Sequence, residues 1–245
     1  LLEDSFVAFP GLIDVHTHIC WAGSRAGDFA LRLAGKTYLE IAKAGGGIMD
    51  TVRKTRAASR EELIQLTVQR ADELLAQGVT TIEVKSGYGL SEEDELKLLE
   101  VIQEANKRTK ADLIPTCLAA HVVPLEYKNL PSSELLYLND ILTKLLPQLK
   151  QKNLTSRVDI FVDEGAFSVQ AARDYLLKAR EMGFDLVIHG DQFSGGVAEM
   201  ANEVKALSID HLEAADISEI ITLANGHTIP VALPGASLGL GEPFA

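Results

Sequence analysis

His16 and His18 stand two residues apart at the end of the apolar run Leu12-Ile13-Asp14-Val15, which Pro10-Gly11 precedes. A short apolar run punctuated in this way reads as a buried strand, and on a strand residues two apart project from the same face. Two imidazoles aimed together can grip one cation. His189 closes another apolar run, Leu186-Val187-Ile188. Three neutral imidazoles that leave a coordination position open make a hydrolytic zinc or iron site, where the ion lowers the pKa of water to about 7. His121 and His211 also end apolar runs, and each could bind metal, donate to a substrate carbonyl or move a proton. Five of the six histidines therefore stand at or near strand ends; the sixth, His227 in Asn225-Gly226-His227, reads as a turn residue.

Other residues could serve such a site. Arg25 and Tyr88 could orient an anion, since a guanidinium grips a carboxylate with two parallel hydrogen bonds and a phenol adds a third. Most arginines are solvated, so Arg25 alone is weak support. Lys85 could be a modified lysine bridging two metals, although a structural lysine is the commoner case. Glu164 and Asp191 could orient histidine ligands from behind or simply cap helices. Gly45-Gly46-Gly47 could let backbone approach a ligand, with a flexible turn as the plain alternative.

The elements that must position these residues alternate regularly. Strand-like runs occur near residues 12–15, 79–84, 113–121, 158–162, 185–189, 207–211 and 229–233. Between them lie a helical patch around residues 38–44 and helices over about 59–77, 91–108, 133–150, 168 onward, 196–204 and 217–224. Ser59-Arg60-Glu61-Glu62 reads as a capping box, and Pro147 should disturb its helix. This alternation predicts an α/β fold with a parallel sheet. An incomplete (β/α)8 TIM barrel is preferred to a doubly wound sheet, because polar residues follow almost every strand and a barrel gathers all those ends on one face. Seven strands are countable, and the eighth would lie past Ala245.

The chain has 245 residues, 47% of them apolar, and a net charge of −12. The size suits a single barrel of about 250 residues. The charge argues against a nucleic-acid partner or an anionic membrane surface. The two cysteines, Cys20 and Cys117, imply no disulfide framework and fit a reducing cytoplasm. No run approaches the roughly 18 apolar residues of a membrane helix. The start at Leu1 without methionine reads as that of an internal piece of a longer protein.

Pro10 to His18 resembles the opening metal motif of the amidohydrolase superfamily. Trp21-Ala22-Gly23-Ser24-Arg25, Ala44-Gly45-Gly46-Gly47-Ile48, Lys85-Ser86-Gly87-Tyr88-Gly89-Leu90, Ala120-His121, His189-Gly190-Asp191-Gln192 and Asp210-His211-Leu212-Glu213 resemble, in order, the blocks of the imidazolonepropionase family.

That resemblance implies His16, His18 and His189 as ligands of one zinc or iron ion. It implies Arg25, Tyr88, His121 and Gln192 as contacts to imidazolone propanoate, and His211, with His121, as a catalytic group. Some members carry glutamate at the position of Gln192; a glutamine can only orient by hydrogen bonds. The implied reaction is hydrolysis of the cyclic amide of 4-imidazolone-5-propanoate to N-formimidoyl-glutamate, in the cytoplasm, with a small molecule as partner and a homodimer left open. The family's fourth metal ligand, an aspartate ending the eighth strand, and its small β-sandwich are expected to be absent, so that residues 1–245 form a partial barrel domain. Two rivals stand beside this reading: another amidohydrolase, such as a ring deaminase, and an inactive barrel fragment.

Overall fold

Strands buried on both faces read as near-continuous apolar runs; the inner strands of the sheet are largely buried, whereas the first and last keep exposed positions. The computed structural model describes residues 7–36, 40 and 44–240. Its strands are β1 (Leu12–Thr17), β2 (Val79–Lys85), β3 (Asp112–Ala120), β4 (Arg157–Val162), β5 (Asp185–Gly190), β6 (Ser208–His211) and β7 (Ile229–Ala232). All neighbours run parallel, in the order β1-β2-β3-β4-β5-β6-β7. A doubly wound sheet would reverse that order part-way; a barrel keeps it.

The sheet is curled. Laid flat, β1 and β6 would lie about 24 Å apart at the usual spacing between strands. Instead His16 on β1 meets Asp210 on β6 at 2.6 Å. The fold is thus an incomplete (β/α)8 barrel, as the alternation of elements implies.

Ten helices are described: α1 (Ala26–Leu33), α2 (Ile48–Ala57), α3 (Arg60–Ala76), α4 (Glu92–Asn106), α5 (Ser133–Asp140), α6 (Leu146–Lys152), α7 (Val169–Glu181), α8 (Ala198–Glu203), α9 (Ile217–Ala224) and α10 (Pro234–Leu240). The helical patch expected around residues 38–44 lies mostly outside the described residues. Serine caps start three of the main helices. The side chains of Ser59, Ser91 and Ser168 accept from the N–H of Glu62, Asp94 and Ala171, each such cap contributing about 1 kcal/mol. The capping box expected at Ser59 forms that half of the motif, whereas Asp216 and Glu219 form a full box at the start of α9. Between α5 and α6 a π-helical turn spans Ile141–Leu145. It precedes Pro147, whose ring has no N–H to give and crowds the carbonyl of Thr143. No described helix is long and apolar enough to cross a membrane.

The core lies between sheet and helices. Ile82, Val84, Val158, Ile160, Leu186 and Ile188 point outward from the strands and are fully buried, with Leu98, Leu99, Ile102, Leu146 and Leu176 from the helices. The alternate positions face the barrel interior, and several of them are charged. Glu83 and Lys85 on β2, Asp159 on β4 and Asp210 on β6 are all buried.

Candidate metal centre

The period of two along β1 turns Asp14, His16 and His18 to the same side. His18 lies just past the strand, and the register of β1 against β2 shifts between Asp14 and Thr17. Thr17 takes the opposite side, and its hydroxyl donates to the Glu83 carbonyl at 2.5 Å. On β5, Leu186 and Ile188 pack outward, so His189 faces in. On β6 the same rule would send Asp210 inward and His211 outward. His211 has φ 98° and Leu212 φ 70°. That left-handed backbone is rare for side-chain-bearing residues and costs about 1–3 kcal/mol. It breaks the alternation and brings the His211 ring within 5.3 Å of the His16 and His189 rings.

The result is a cluster of imidazoles. His16 Nε2 lies 3.2 Å from His18 Nε2, which lies 3.1 Å from His189 Nε2. One ligand atom from each of His16, His189 and His211 also falls within 4.8 Å of the others. Buried carboxylates fix the tautomers of two rings. His16 Nδ1–H donates to Asp210 Oδ2 at 2.6 Å, and His189 Nδ1–H donates to Asp159 at 2.9 Å. Each ring therefore turns the lone pair of Nε2 toward the centre. Around a tetrahedral ion with metal–nitrogen bonds of about 2.0–2.1 Å, ligand nitrogens stand roughly 3.3 Å apart. The observed contacts fit that edge. His18 Nδ1 is buried without a hydrogen-bond partner, which leaves Nε2 as its only engaged atom. The cluster is arranged to hold one metal ion.

Burial favours the neutral form of His18, His121, His189 and His211. It pulls His18 and His189 well below the usual histidine range, with neighbouring imidazoles, His16 first, adding to the effect. It lowers His211, again with help from His16. Burial brings His121 down to about 4 against the opposing hydrogen bond to Gly87. Neutral imidazole is the form that ligates metal.

No family model matches the chain. An imidazolonepropionase of Bacillus cereus (strain ZK / E33L) is 47% identical over 238 residues, covering 96% of this chain and 55% of that protein. That of Bacillus mycoides (strain KBAB4) is 46% identical over 244 residues, covering 99% and 57%. The chain belongs to the imidazolonepropionase family. It spans about half the length of the curated imidazolonepropionases it matches. Among solved structures, a 5-methylcytosine deaminase from Klebsiella pneumoniae aligns with TM-score 0.65 at 13% identity over 94% of this chain and 56% of that one. A zinc-bound adenosine deaminase from Xanthomonas campestris aligns with TM-score 0.61 at 14% identity over 96% and 52%. These likenesses establish the shared barrel.

The residues that the imidazolonepropionase motifs single out are largely gathered by this barrel. His121 stacks on His18, with ring centroids 5.4 Å apart, and its Nδ1–H donates to the Gly87 carbonyl at 3.0 Å. Tyr88 lies 5.6 Å from His121 and 5.9 Å from His18, ring to ring. Burial pushes the Tyr88 phenol up to about 12, although Arg25 and Arg70 pull it the other way. Arg25, at the start of α1, keeps 42% of its side chain exposed and donates from Nε to Asp28 at 3.2 Å. Gln192 follows β5, and its backbone N–H donates to Asp163 at 3.1 Å. Asp28 also accepts from the Gly47 N–H at 2.8 Å, which ties the glycine run to α1.

One sequence reading needs correction. Glu164 and Asp191 do not back the histidines. Both lie beyond their strands and face the loops. Glu164 is exposed, and Asp191 accepts from the Val197 N–H at 3.0 Å. The carboxylates that orient the rings are Asp159 and Asp210, placed inside strands at inward positions. Their signal in the sequence is a charged residue within an apolar strand run. Lys85 takes the structural role, the commoner case for such a lysine. Its ammonium is buried among Glu83, Asp159 and Asp210, at 2.9, 2.7 and 3.5 Å. Burial alone would lower its pKa; Asp159 and Glu83 outweigh that and hold it above the usual lysine value.

Proposed function

We propose that this barrel opens the ring of 4-imidazolone-5-propanoate by hydrolysis to give N-formimidoyl-glutamate. The observation that carries the reading is the set of 3.1–3.2 Å contacts among the Nε2 atoms of His16, His18 and His189. It occurs in a chain 47% identical to named imidazolonepropionases.

His16, His18 and His189 would hold the zinc or iron ion. His211 stands at the same centre, close enough either to complete the ligand set or to move a proton. The bound ion supplies Lewis acidity, which lets water lose a proton near neutral pH. The protein's own groups then orient the substrate. His121 donates from Nδ1 to Gly87, so its neutral ring offers a lone pair at Nε2. It therefore accepts a hydrogen bond from a ring N–H of the substrate rather than donating to the oxyanion. Tyr88 remains a phenol at neutral pH and donates. Arg25 provides the charge that attracts the propanoate, and Gln192 adds an orienting hydrogen bond. His211 carries the proton to the leaving ring nitrogen. Orientation of this kind lowers the barrier, by roughly 7 kcal/mol or more when geometry is near attack.

The reading also places the protein in the cytoplasm, in keeping with two buried free cysteines. Size-exclusion chromatography decides whether it is a homodimer. The activity is tested by giving the full-length protein 4-imidazolone-5-propanoate and following N-formimidoyl-glutamate by mass spectrometry. Turnover that chelation abolishes and zinc or iron restores supports the assignment. Deamination of a neutral purine or pyrimidine without imidazolone turnover refutes it.

A further inference from the structure

Beneath the imidazoles lies a buried charge cluster that the proposed reaction does not use directly. We propose that Lys85 is a positioning residue of the metal site, whose ammonium holds Asp159 and Asp210 and through them the rings of His189 and His16. The inference rests on the metal-binding reading of the cluster.

The geometry forms one continuous path. His16 Nδ1 meets Asp210 Oδ2 at 2.6 Å, and the same oxygen lies 3.5 Å from Lys85 Nζ. Lys85 Nζ donates to Asp159 Oδ2 at 2.7 Å, and that carboxylate takes His189 Nδ1–H at 2.9 Å. Strands β1, β6, β2, β4 and β5 are joined in sequence by a single cation. Both ends of the path are metal-facing rings.

Lys85 is itself fixed from the far side. Glu83 Oε1 accepts from Nζ at 3.0 Å and from the Thr116 hydroxyl on β3 at 2.6 Å. Asp210 is braced on its other oxygen by the Ser208 hydroxyl at 2.7 Å. Neither the lysine nor either aspartate reaches bulk solvent. Water therefore cannot replace the ammonium as a partner of the carboxylates. Without it, two desolvated carboxylates would face each other inside the barrel, and removing one member of a buried charge set costs far more than the set itself contributes. They would turn apart, and the ring each one holds would turn with it. With the ammonium in place the cluster stays net negative below the imidazoles, which favours a cation above them.

The experiment is zinc affinity in the full-length protein, measured by competition with a chromophoric chelator. Wild type, Lys85→Met, Glu83→Gln and Leu146→Ala are compared, with the thermal midpoint of each metal-free form. Lys85→Met should weaken zinc about tenfold or more. Glu83→Gln should weaken it by a smaller factor, since it loosens the lysine while leaving both histidine–aspartate pairs intact. Leu146→Ala, a core truncation in an outer helix, should lower the midpoint and leave zinc affinity unchanged. Equal affinity in wild type and Lys85→Met overturns the proposal. If Lys85→Met does not fold, unchanged affinity in Glu83→Gln overturns it instead. Failure of the wild type to bind zinc or iron sinks the metal reading itself, a different outcome from either.

Discussion

His16 and Asp210, 194 residues apart in the chain, share a hydrogen bond of 2.6 Å across the mouth of the curled sheet. The bond sets which nitrogen of His16 carries the proton and so which one is free for a ligand. Asp210→Asn keeps the shape but removes the charge and offers an amide to the ring. Metal affinity should fall about 10- to 100-fold, in line with losses of such partners elsewhere. Metal content after dialysis against graded chelator reads the change.

The loop that carries Tyr88 hangs on Glu95. This carboxylate is buried and accepts from the N–H groups of Gly87, Gly89 and Leu90 at 2.8–3.0 Å. Glu95→Gln turns an amide against some of those donors. It should destabilise the protein by about 1–3 kcal/mol, the usual cost of an unsatisfied buried group. KM should rise more than kcat falls, because Tyr88 is displaced while the imidazoles stay. Urea titration and steady-state kinetics test both parts.

Gly87 has φ 101°, and a Cβ there would meet the Leu118 carbonyl at 2.8 Å and His121 Nδ1 at 3.1 Å. Gly87→Ala is therefore both strained and obstructed. It should displace His121 from its carbonyl partner and lower kcat/KM at least tenfold. An active Gly87→Ala variant would remove His121 from the proposed substrate contacts.

Acid should destabilise the metal-free protein. Burial holds folded His121 at about 4, whereas its ordinary value is 6.5. Between those values the unfolded chain takes up a proton that the native ring refuses, so stability is complete above the upper value and lost as pH falls toward the lower one. His18, His189 and His211 are lowered by burial too and act with the same sign. Asp191, pushed up to about 7 by burial and then by Glu219, tilts stability the opposite way across the whole of that window. Comparing urea midpoints of wild type and His121→Asn across this range isolates one imidazole. The difference should change by at most about 1.4 kcal/mol per pH unit.

Among the described residues, the two sheet edges are apolar and unpaired. Ile13 on β1 is 66% exposed and Ile229 on β7 is 63% exposed. Unpaired edges with apolar side chains invite association. The 245-residue chain alone should self-associate at micromolar concentration, and Ile13→Lys should reduce this. Light scattering decides it; a monodisperse, cooperatively melting wild-type sample would contradict the expectation.

The strands and the direction of His16, His18 and His189 were legible because their signals are local. Apolar runs give strands, the period of two gives the facing side, and each histidine sits at a run's end. The partners of those histidines were not legible in the same way. Asp159 and Asp210 sit within strand runs, and their role appears only when the curl brings β4, β5, β6 and β1 together. Glu164 and Asp191 looked better placed in sequence, since they follow strands, but residues past a strand end are no longer held to its alternation. His211 illustrates the opposite case. Its place at a strand end suggested the site, while the backbone reversal that aims it inward leaves no mark in the residue pattern. For Lys85 the structural role was already the favoured reading; what the sequence could not show is that carboxylates on β2, β4 and β6 surround it.

Sequential pairing lets each strand dock on its predecessor as soon as both are available. The link from the first to the sixth cannot form until nearly the whole ribbon has bent round. A site shared by β1, β5 and β6 is complete only in the curled sheet, so zinc uptake during refolding should follow the appearance of the strands. A chain caught half-built would hold its imidazoles too far apart to seize zinc, and the moment of uptake would mark closure of the bowl.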